Sequence, residues 1–481
     1  MENTEENLHA AEEFKQKGNE FFKQNKFPDA IDQYTKAIQS QKPSTKIAPY
    51  YTNRAFCHLK MENYGLAVED SESAIECDPS FTKAYYRQGS SFLALGKFEQ
   101  ARDAFKKAYK LNSKDQDIKE KLQRVKQIIF EREFAKSIEV QHAVVVVNPE
   151  DVIVEPNYQG PKLENIDTDV TSEWCIQLME HLKDQKKLHK KYTWMILKKA
   201  KEILSGYQSL IDLDYPEDEQ LTVCGDVHGQ FYDLLNIFKL NGNPSKQNPY
   251  LFNGDFVDRG SFSVEIMLTL LAWKVHNPNC MHLTRGNHET KNMNKMYGFE
   301  GEVVHKYDAK TMEFFSDLFC ALPLCYILNK QVMVNHGGLF SNDGVTLNDI
   351  RKIDRFREPP DNGIFADLLW ADPVKQNGRH PSKRGISIGF GPDVAHKFLK
   401  ENDLQLLVRS HEMKEEGYEI EADGKVITIF SAPNYCDQMG NKGAYIIFKG
   451  SDMKPIIKQF TAVEHPKVPA MAYSRNFMNM F

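Results

Sequence analysis

The chain has 481 residues, with 61 Lys and Arg against 67 Asp and Glu, a net charge of −6 and a pI near 6.2. A chain of this length is too long for one hydrophobic core, so we expect two or three domains. The acidic balance argues against nucleic acid as a partner or substrate, because such proteins carry a basic footprint. The N-terminus is polar and acidic, and no apolar run approaches about 18 residues, so neither a signal peptide nor a membrane span is predicted.

Cysteine usage points to a reducing compartment. The eight cysteines form no CxxC pair, and several of them sit inside apolar stretches. Such residues are typical of reduced, buried thiols rather than of a disulfide framework. We therefore predict a cytoplasmic and nuclear protein.

Residues 1–113 repeat. Small residues return in register at intervals close to the 34 residues of a tetratricopeptide repeat (TPR), whose two helices cross where side chains are small. Three repeats are enough to bury a shared core and leave a concave groove, so we predict an all-α superhelix. The three sets in register are Ala30, Ala67 and Ala101; Ala37, Ala74 and Ala108; and Gly18, Ala55 and Gly89.

The next two segments differ in pattern. Residues 114–139 carry apolar side chains at helical spacing and should add a capping helix to the third repeat. Residues 140–169 contain three prolines and little helical pattern, so they are predicted to form a linker. A catalytic domain over residues 170–466 and a C-terminal segment over 467–481 complete the predicted organisation.

Five short motifs carry the chemistry. They are GDVHG (225–229), GDFVDRG (254–260), RGNHE (285–289), HGG (336–338) and RSHE (409–412). Each follows a predicted strand, and the five strands cover residues 221–224, 250–252, 281–283, 331–334 and 404–408. We expect the five strand ends to meet at one edge of a single sheet and to deliver metal ligands there.

The ligand types predict two metal ions. Carboxylate, amide and imidazole groups suit manganese, iron, zinc or magnesium. Six ligands exceed what one catalytic ion with an open position takes, but they suffice for two ions if Asp255 bridges them. Two such ions lower the pKa of a shared water and clamp the oxygens of an in-line displacement at phosphorus. The predicted ligands are Asp226, His228, Asp255, Asn287, His336 and His411.

These motifs resemble the signature of the phosphoprotein phosphatase (PPP) serine/threonine family, and every motif position matches. The resemblance implies an α/β metallophosphoesterase domain with a central β-sandwich flanked by helices. It also implies hydrolysis of phosphoserine and phosphothreonine on proteins by a water held between two metal ions. Manganese is the metal expected in vitro, with iron, zinc or magnesium left open.

The remaining site residues follow from the chemistry and the resemblance. His288 is adjacent to a ligand and is placed to protonate the leaving alkoxide, and in the resembled family Asp258 orients it. Arg259 and Arg384 can hold phosphate oxygens through bidentate hydrogen bonds. Tyr435 matches the loop that lies over the active site. The predicted substrate-binding residues are Arg259, Asn287, His288, Arg384 and Tyr435.

The groove of the repeats has its own predicted ligand. Cationic and amide residues recur on the first helices of the three repeats, and they resemble the two-carboxylate clamp of TPR domains that bind the acidic C-terminal tail of the heat shock protein 90 chaperone. Such groups supply charge-assisted hydrogen bonds to a chain terminus and a neighbouring acidic side chain. The clamp residues are Lys15, Asn19, Asn53, Lys83 and Arg87.

The repeat half is predicted to restrain the catalytic half. Glu62 matches the position at which proteins of this architecture place an acidic residue against the active-site arginine, here Arg259. The C-terminal segment 467–481 could pack between the domains and hold them closed. A ligand that binds only the open form would then raise activity by shifting that population.

Two alternatives remain open from the residues alone. A metallophosphoesterase acting on nucleotides or nucleic acid shares the same ligand core, although the paired arginines and the acidic chain favour a phosphoprotein substrate. A non-catalytic TPR adaptor is the second alternative, but neither a predicted ligand nor His288 is missing from the sequence.

Overall fold

The computed structural model describes residues 5–42, 44–137 and 148–474, which form two compact units. The first unit contains the described residues before 144 together with residues 381–386. The second contains the described residues of 148–380 and of 387–474. Residues 138–139 of the predicted capping helix, 140–147 of the predicted linker and 475–481 of the predicted C-terminal segment lie outside the described residues.

The first unit is helical, as predicted. Its helices are α1 (Glu5–Lys23), α2 (Phe27–Gln39), α3 (Ala48–Lys60), α4 (Tyr64–Cys77), α5 (Thr82–Ala94), α6 (Phe98–Leu111) and α7 (Gln116–Ser137). The first six pack as three consecutive pairs, which are the three predicted repeats, and α7 packs against α6. The fold class of this half is therefore confirmed.

Small residues in register let the paired helices approach closely. A Cβ atom on Gly18 would lie 2.7 Å from the ring of Tyr34, and one on Gly89 would lie 2.9 Å from the ring of Phe105. Both glycines lie on the first helix of a repeat, and both rings belong to the second helix of the same repeat. The repeat therefore uses a glycine where a large ring of the partner helix crosses it.

The segment 381–386 packs on the first turn of α4 and on Lys97, the residue before α6. The Leu66 amide donates to the Lys383 carbonyl at 3.1 Å, and Lys97 Nζ donates to the Gly385 carbonyl at 3.4 Å. A Cβ atom on Gly65 would lie 2.6 Å from the Gly385 nitrogen. The backbones of Gly65 and Gly385 are therefore in direct contact, which is possible because neither residue has a side chain.

The second unit is built on three sheets. The strands are β1 (Leu210–Leu213), β2 (Gln220–Cys224), β3 (Tyr250–Phe252), β4 (Met281–Leu283), β5 (Cys325–Leu328), β6 (Val332–Asn335), β7 (Asp372–Pro373), β8 (Arg379–Pro381), β9 (Ile388–Phe390), β10 (Leu406–Arg409), β11 (Tyr418–Glu421), β12 (Val426–Ile429), β13 (Gly443–Lys449) and β14 (Ile456–Phe460). The orders are β1-β5-β6-β10-β12-β11, β14-β13-β2-β3-β4 and β7-β9-β8.

The two large sheets form a sandwich. One buried cluster joins apolar side chains of both sheets, among them Val223 and Ile446 from one and Val334 and Val408 from the other. The parallel strands β2–β3–β4 and β6–β10–β12 are short and almost wholly buried, as expected for strands covered on both faces. The predicted sandwich flanked by helices is confirmed.

The helices of the second unit flank the sandwich. They are α8 (Ile166–Asp169), α9 (Ser172–Lys183), α10 (Lys190–Ser205), α11 (Phe231–Asn241), α12 (Ser263–His276), α13 (Lys291–Tyr297), α14 (Phe299–Lys306), α15 (Ala309–Ala321), α16 (Leu347–Arg351), α17 (Ile364–Trp370) and α18 (Pro392–Glu401). Helix α12 packs on β4 of the five-stranded sheet, and α16 packs on β1 of the six-stranded sheet. The larger core cluster lies between the five-stranded sheet and six of these helices, which are α9–α12, α14 and α15. Among the described residues, none of the helices is both long and apolar enough to cross a membrane.

Part of the predicted linker belongs to the second unit. Leu163 is buried in the larger core, and Val152 and Val154 pack against it. The Trp174 indole donates to the Lys162 carbonyl at 2.9 Å. The prolines disfavour a helix in this stretch, but they do not prevent an extended chain from packing on an apolar surface. Residues 148–169 are therefore packed on the second unit, and they are not the free linker that was predicted.

Candidate active site

The five motifs converge from two sheets rather than one. The first three follow β2, β3 and β4 in the five-stranded sheet, whereas HGG and RSHE follow β6 and β10 in the six-stranded sheet. The expectation of a single sheet edge was therefore wrong. The strand ends of two facing sheets meet, and this arrangement surrounds the site from both layers of the sandwich.

The Asp255 carboxylate lies at the centre of the predicted ligands. Its Oδ2 atom is 3.5 Å from His228 Nε2 and 3.2 Å from His336 Nε2. Ligand atoms of His228, Asp255 and His288 lie within 4.8 Å of one another, and so do those of Asp255, His336 and His411. Asp255 is the member shared by the two clusters, which is the position of a bridging carboxylate.

The other ligands join the same cluster. Asp226 Oδ2 lies 3.7 Å from His228 Nε2, and Asp226 Oδ1 accepts from the His411 amide at 3.1 Å. Asn287 Oδ1 lies 2.8 Å from His336 Nε2. None of the six predicted ligands is more than 6% exposed, so the structure brings all of them into one buried site.

The buried charge of this cluster fits bound cations. Asp226 Oδ2 is buried and has no hydrogen-bond partner among the described residues. Burial raises the pKa of Asp226 to about 8, with the neighbouring Asp255 carboxylate adding to the rise. Two adjacent carboxylates are costly to bury without compensating positive charge. Carboxylate, amide and imidazole donors around them suit two divalent metal ions.

Backbone carbonyls orient two of the histidines. His228 Nδ1 lies 2.9 Å from the Val257 carbonyl, and His336 Nδ1 lies 2.8 Å from the Asn253 carbonyl. Each Nδ1–H donates to its carbonyl, which assigns the lone pair to Nε2. A metal-binding histidine uses one ring nitrogen in this way while the other fixes the ring.

The ligand loops have an unusual backbone. Five predicted site residues on these loops have positive φ although none is glycine: His228 at 38°, Asp255 at 51°, Asp258 at 70°, Arg259 at 69° and His411 at 72°. Such conformations cost free energy and persist only where surrounding contacts enforce them. Their concentration in the metal loops indicates that the side-chain directions are set by the fold rather than by local preference.

Two glycines allow the second and third motifs to touch. Gly254 has φ of 83°, and a Cβ atom on it would lie 2.7 Å from Gly286 Cα. A Cβ atom on Gly286 would overlap Asp255 Oδ1. The two loops can therefore carry their ligands to the same point only because neither residue has a side chain.

Glu289 is a supporting residue that the sequence analysis did not assign. Its Oε2 accepts from the amides of Asp255 (2.9 Å) and Gly286 (2.8 Å), and its Oε1 accepts from the Phe256 amide at 2.9 Å. The residue is fully buried. Its position at the end of the GNHE motif was the sequence signal that could have identified it as a site residue. It holds the loop of the central carboxylate without contributing a predicted ligand.

Arg409 plays a similar part in RSHE. Its guanidinium donates to the Gly337 and Ala371 carbonyls, to Asp372 Oδ1 at 2.8 Å and to Glu412 Oε2 at 2.9 Å. Arg409 is fully buried. This residue ties the HGG and RSHE motifs together from behind the ligands.

His288 and Asp258 form a hydrogen-bonded pair. His288 Nδ1 lies 2.9 Å from Asp258 Oδ2, and Asp258 also accepts from Asn294 Nδ2 at 3.1 Å and from the Phe299 amide at 2.9 Å. Burial raises the pKa of Asp258 to about 7. Asp258 therefore fixes the ring of His288, while Asn294 and α14 fix Asp258.

Arg259 and Tyr435 flank the cluster within the second unit. The Arg259 guanidinium lies 3.9 Å from the centroid of the Tyr297 ring, and the Arg259 amide donates to the Tyr297 carbonyl at 3.1 Å. The Tyr435 ring lies 5.3 Å from the His228 ring, and its amide donates to Asn441 Oδ1 at 2.8 Å. Both side chains are buried.

Arg384 lies in the segment 381–386 and so belongs to the first unit. Its amide donates to Ser382 Oγ at 3.1 Å, and its Nη1 lies 4.0 Å from Glu62 Oε2. Glu62 has φ of 61° and sits between α3 and α4. Two residues predicted to act in regulation and phosphate binding are therefore neighbours.

The predicted clamp residues lie on α1, α3 and α5, the first helices of the three repeats. Asn53 Nδ2 donates to Asn19 Oδ1 at 3.3 Å. Lys15 Nζ pairs with Glu12 at 2.8 Å, and Lys83 is exposed.

Arg87 stacks on an aromatic ring of the preceding repeat. Its guanidinium lies 3.6 Å from the centroid of the Phe56 ring. Burial lowers its pKa to about 10, so the group keeps its charge at neutral pH. The clamp thus combines stacked, amide and solvated cationic groups.

Comparison with known proteins agrees with the two halves. Residues 220–415 match the calcineurin-like phosphoesterase family, residues 122–212 match the PPP5 TPR repeat region, and residues 82–115 match the tetratricopeptide repeat. All eight cysteines are free thiols, as predicted.

Full-length relatives carry the same architecture. Serine/threonine-protein phosphatase 5 of Homo sapiens is 52% identical over 98% of this chain and 95% of its own length. The Arabidopsis thaliana protein of the same name is 47% identical over 100% of both chains. A solved Saccharomyces cerevisiae serine/threonine phosphatase with similarity to human PP5 is 44% identical, with a TM-score of 0.61 over 63% of this chain and 100% of its own.

With its helical repeats, its sandwich and its metal loops matched along nearly the whole length, the chain belongs to the serine/threonine-protein phosphatase 5 family and is a protein serine/threonine phosphatase.

Proposed function

We propose that the chain hydrolyses phosphoserine and phosphothreonine in proteins with two divalent metal ions bound by the six clustered ligands. The shared position of Asp255, within 3.5 Å of His228 Nε2 and 3.2 Å of His336 Nε2, is the observation that supports two ions most directly. Bound ions would lower the pKa of a water and neutralise phosphoryl oxygens. Manganese is the metal we expect in vitro, with iron, zinc and magnesium as alternatives.

His288 is the proposed general acid. The Asp258 carboxylate at Nδ1 stabilises the imidazolium, so the proton on Nε2 is the one available for the leaving alkoxide. A serine or threonine alkoxide is a poor leaving group and needs that proton. Because Asp258 is itself held by Asn294 and the Phe299 amide, the pair keeps one geometry.

Arginines are the proposed phosphate ligands. Arg259 follows the loop of the bridging carboxylate, and its guanidinium is held against the Tyr297 ring. Arg384 is the second predicted ligand, and Tyr435 the predicted cover of the site. Planar guanidinium groups bind phosphate oxygens in pairs, which fits a phosphomonoester with three terminal oxygens.

The reaction class can be tested on the purified full-length chain. We expect a chelator to abolish turnover of a phosphopeptide and added manganese to restore it, with about two ions bound per chain at full activity. A cyclic nucleotide and a DNA diester, offered at the same concentration, should be turned over much more slowly. Faster turnover of either one would overturn the phosphoprotein assignment in favour of a nucleotide or nucleic-acid phosphoesterase.

We also propose that the helical unit restrains the catalytic activity. Glu62 carries a carboxylate to within 4.0 Å of Arg384 Nη1, and the backbone of segment 381–386 is hydrogen bonded to Leu66 and Lys97. A carboxylate on a phosphate-binding arginine competes with substrate for it. The predicted contact of Glu62 with Arg259 would act in the same way.

This restraint predicts a gain of activity on removal of the repeats. A chain that lacks residues 1–140 should turn over phosphopeptide faster than the full chain at equal metal content. Equal or slower turnover by a shortened chain with full metal content would contradict the restraint. Removal of residues 475–481 should act in the same direction if that segment holds the halves closed.

The proposed partner of the groove is the acidic C-terminal tail of the heat shock protein 90 chaperone. Three cations and two amides lie on the first helices of three successive repeats, and they are Lys15, Asn19, Asn53, Lys83 and Arg87. Binding there would shift the chain toward its active form if the bound tail is compatible only with the unrestrained state.

We place the chain in the cytoplasm and nucleus because its eight cysteines are free thiols. Fractionation of cells that express a tagged full-length chain checks this location. Recovery in a secretory fraction with oxidised cysteines would contradict it.

A further inference from the structure

The residues after the last strand lie directly on the GDFVDRG loop. We define Pro469–Ser474 as the C-terminal strap. The Met471 amide donates to the Arg259 carbonyl at 2.8 Å. Ser261 Oγ donates to the Pro469 carbonyl at 2.7 Å and accepts from the Ala472 amide at 3.1 Å. Three hydrogen bonds therefore join the strap to the loop that carries Asp255, Asp258 and Arg259.

The far end of the strap is anchored on α14. A Cβ atom on Gly301 would overlap the Tyr473 carbonyl, so the strap backbone reaches the helix only because residue 301 is glycine. The Tyr473 ring lies 5.0 Å from the His305 ring. The strap also closes on itself, since the Ser474 amide donates to the Met471 carbonyl at 3.0 Å. These contacts hold the strap in one position on the catalytic unit.

Arg259 needs such support. Its φ of 69° lies in the left-handed region, which a side chain other than glycine adopts at a cost. On one side its amide is bonded to the Tyr297 carbonyl, and on the other its carbonyl is bonded to the Met471 amide. The strap supplies the second of these two bonds, and Met471 Sδ also lies 4.0 Å from Arg259 Nη1.

A second buried network supports the same place. Lys306 Nζ pairs with Glu265 at 2.6 Å and with Glu302 at 2.8 Å, and it lies 3.4 Å from the Ser261 carbonyl. Its Nζ is also 5.6 Å from the centroid of the Tyr473 ring. The loop is thus held by α14 and by the strap, and the strap bonds directly to the Arg259 carbonyl and to the Ser261 side chain.

We propose that the C-terminal strap is a positioning element that holds Arg259 in its phosphate-binding conformation. The inference rests on the proposed role of Arg259. It divides the C-terminal segment in two: Pro469–Ser474 supports catalysis, whereas any restraint by this segment resides in the residues that follow. Ser261 and Met471 are its positioning residues, since they act through Arg259.

Two truncations of the full chain test the strap. One ends after Ser474 and keeps it, and the other ends after Val468 and removes it, so both lack residues 475–481 and any restraint they exert. Inorganic phosphate serves as the probe of Arg259, with its inhibition constant measured beside KM and kcat on a phosphopeptide. We expect loss of the strap to raise the phosphate inhibition constant and KM roughly threefold to tenfold, below the hundredfold that a 1 Å misplacement costs. kcat should fall less, and bound metal should stay equal.

Point variants distinguish an effect on the position of Arg259 from an effect on the stability of the fold. Ser261→Ala removes both hydroxyl bonds to the strap without shortening the chain, and it should raise the phosphate inhibition constant in the same direction. Ser261→Thr keeps the hydroxyl, so its phosphate inhibition constant should match that of the unmodified chain. If the shorter truncation fails to fold, the contrast between these two variants decides the proposal.

The Arg259→Ala background distinguishes the strap from the arginine. Arg259→Ala should itself weaken phosphate binding, and removal of the strap should then have no further effect, because the two changes act through one group. Equal phosphate inhibition constants for the two truncations, or additive losses in the Arg259→Ala background, would overturn the strap's role. An unchanged inhibition constant in Arg259→Ala alone would instead refute the proposed function of that residue.

Discussion

The metal loops and the helical groove present polar side chains in opposite ways. In the loops, each ligand is buried and its ring or backbone is bonded to a neighbour, as for His336 to Asn253 and Asp255 to Glu289. In the groove, Lys83 is exposed and Lys15 is only half-buried. A site that is already ordered loses little entropy when it acts, whereas a groove orders its long side chains as the ligand binds. Substitutions should therefore disable the loops and only weaken the groove.

Removing the shared charge should produce the largest effect. Asp255→Asn replaces the carboxylate between the two histidine clusters by a neutral amide. We expect turnover of phosphopeptide to fall by at least about a thousandfold, since bound ions supply several kcal/mol of transition-state stabilisation. Metal analysis should show fewer ions per chain. Asp233→Asn, another buried aspartate outside the ligand set, is the matched control. Near-native activity with two bound ions would remove the bridging assignment.

His288→Asn tests whether the loops hold an acid as well as metals. We expect both ions to remain bound and kcat on phosphopeptide to fall by about 10²–10⁴, the usual range for a lost general acid. An activated aryl phosphate, whose leaving group needs no proton, should lose much less. His282→Asn, a buried histidine on β4, serves as the control. Equal losses on both substrates would take the acid role from His288.

Arg87→Ala asks how far the groove depends on one cation. Loss of a charged hydrogen bond should weaken binding of a chaperone tail peptide by about 1.5–3 kcal/mol, measured by calorimetry. Turnover of a small phosphate ester without peptide should not change. Lys36→Ala on α2 removes a cation that pairs with Asp32 and should leave peptide affinity unchanged. Unchanged affinity in Arg87→Ala would mean that the groove binds another ligand or binds in another mode.

Glu62→Ala should have the smallest effect and the opposite sign. A partly exposed ion pair contributes about 0.2–1 kcal/mol, so basal turnover should rise by up to about fivefold at unchanged metal content. Glu69→Ala, an exposed acidic residue on α4, should leave turnover unchanged. Basal turnover in Glu62→Ala that matches Glu69→Ala would show that the Glu62 carboxylate does not restrain the enzyme.

Sequence analysis predicted most of the features that depend on residues close together in the chain. The repeat register located Gly18 and Gly89 at helix crossings, and the motifs named six residues that the structure brings together. Each of these follows from local spacing or from a motif whose residues are close in the chain. Fold class could be predicted for the same reason.

The features that sequence analysis missed depend on contacts between residues that are far apart in the chain. Whether β6 and β10 join the sheet of β2 is decided by contacts across the chain, and they form a second sheet. The bond from Met471 to Arg259 joins residues far apart in sequence, and neither has a pattern that announces it. Glu289 was not assigned because its position at the end of GNHE does not show that its carboxylate accepts from the backbone amides of Asp255 and Phe256, which lie on another loop.

The contact between Gly254 and Gly286 has a consequence for inherited variation. Every single-nucleotide missense change in a glycine codon introduces at least one carbon atom at the Cβ position, and at these two positions that atom meets Gly286 Cα or the Asp255 carboxylate. The size of the new side chain does not matter, because the Cβ atom of alanine already overlaps these neighbours. We therefore expect missense alleles at both codons to behave as loss-of-function alleles whatever residue they encode, whereas alleles at the open Gly344 and Gly378, where a Cβ atom meets nothing within 4 Å, should depend on the residue's tolerance of positive φ.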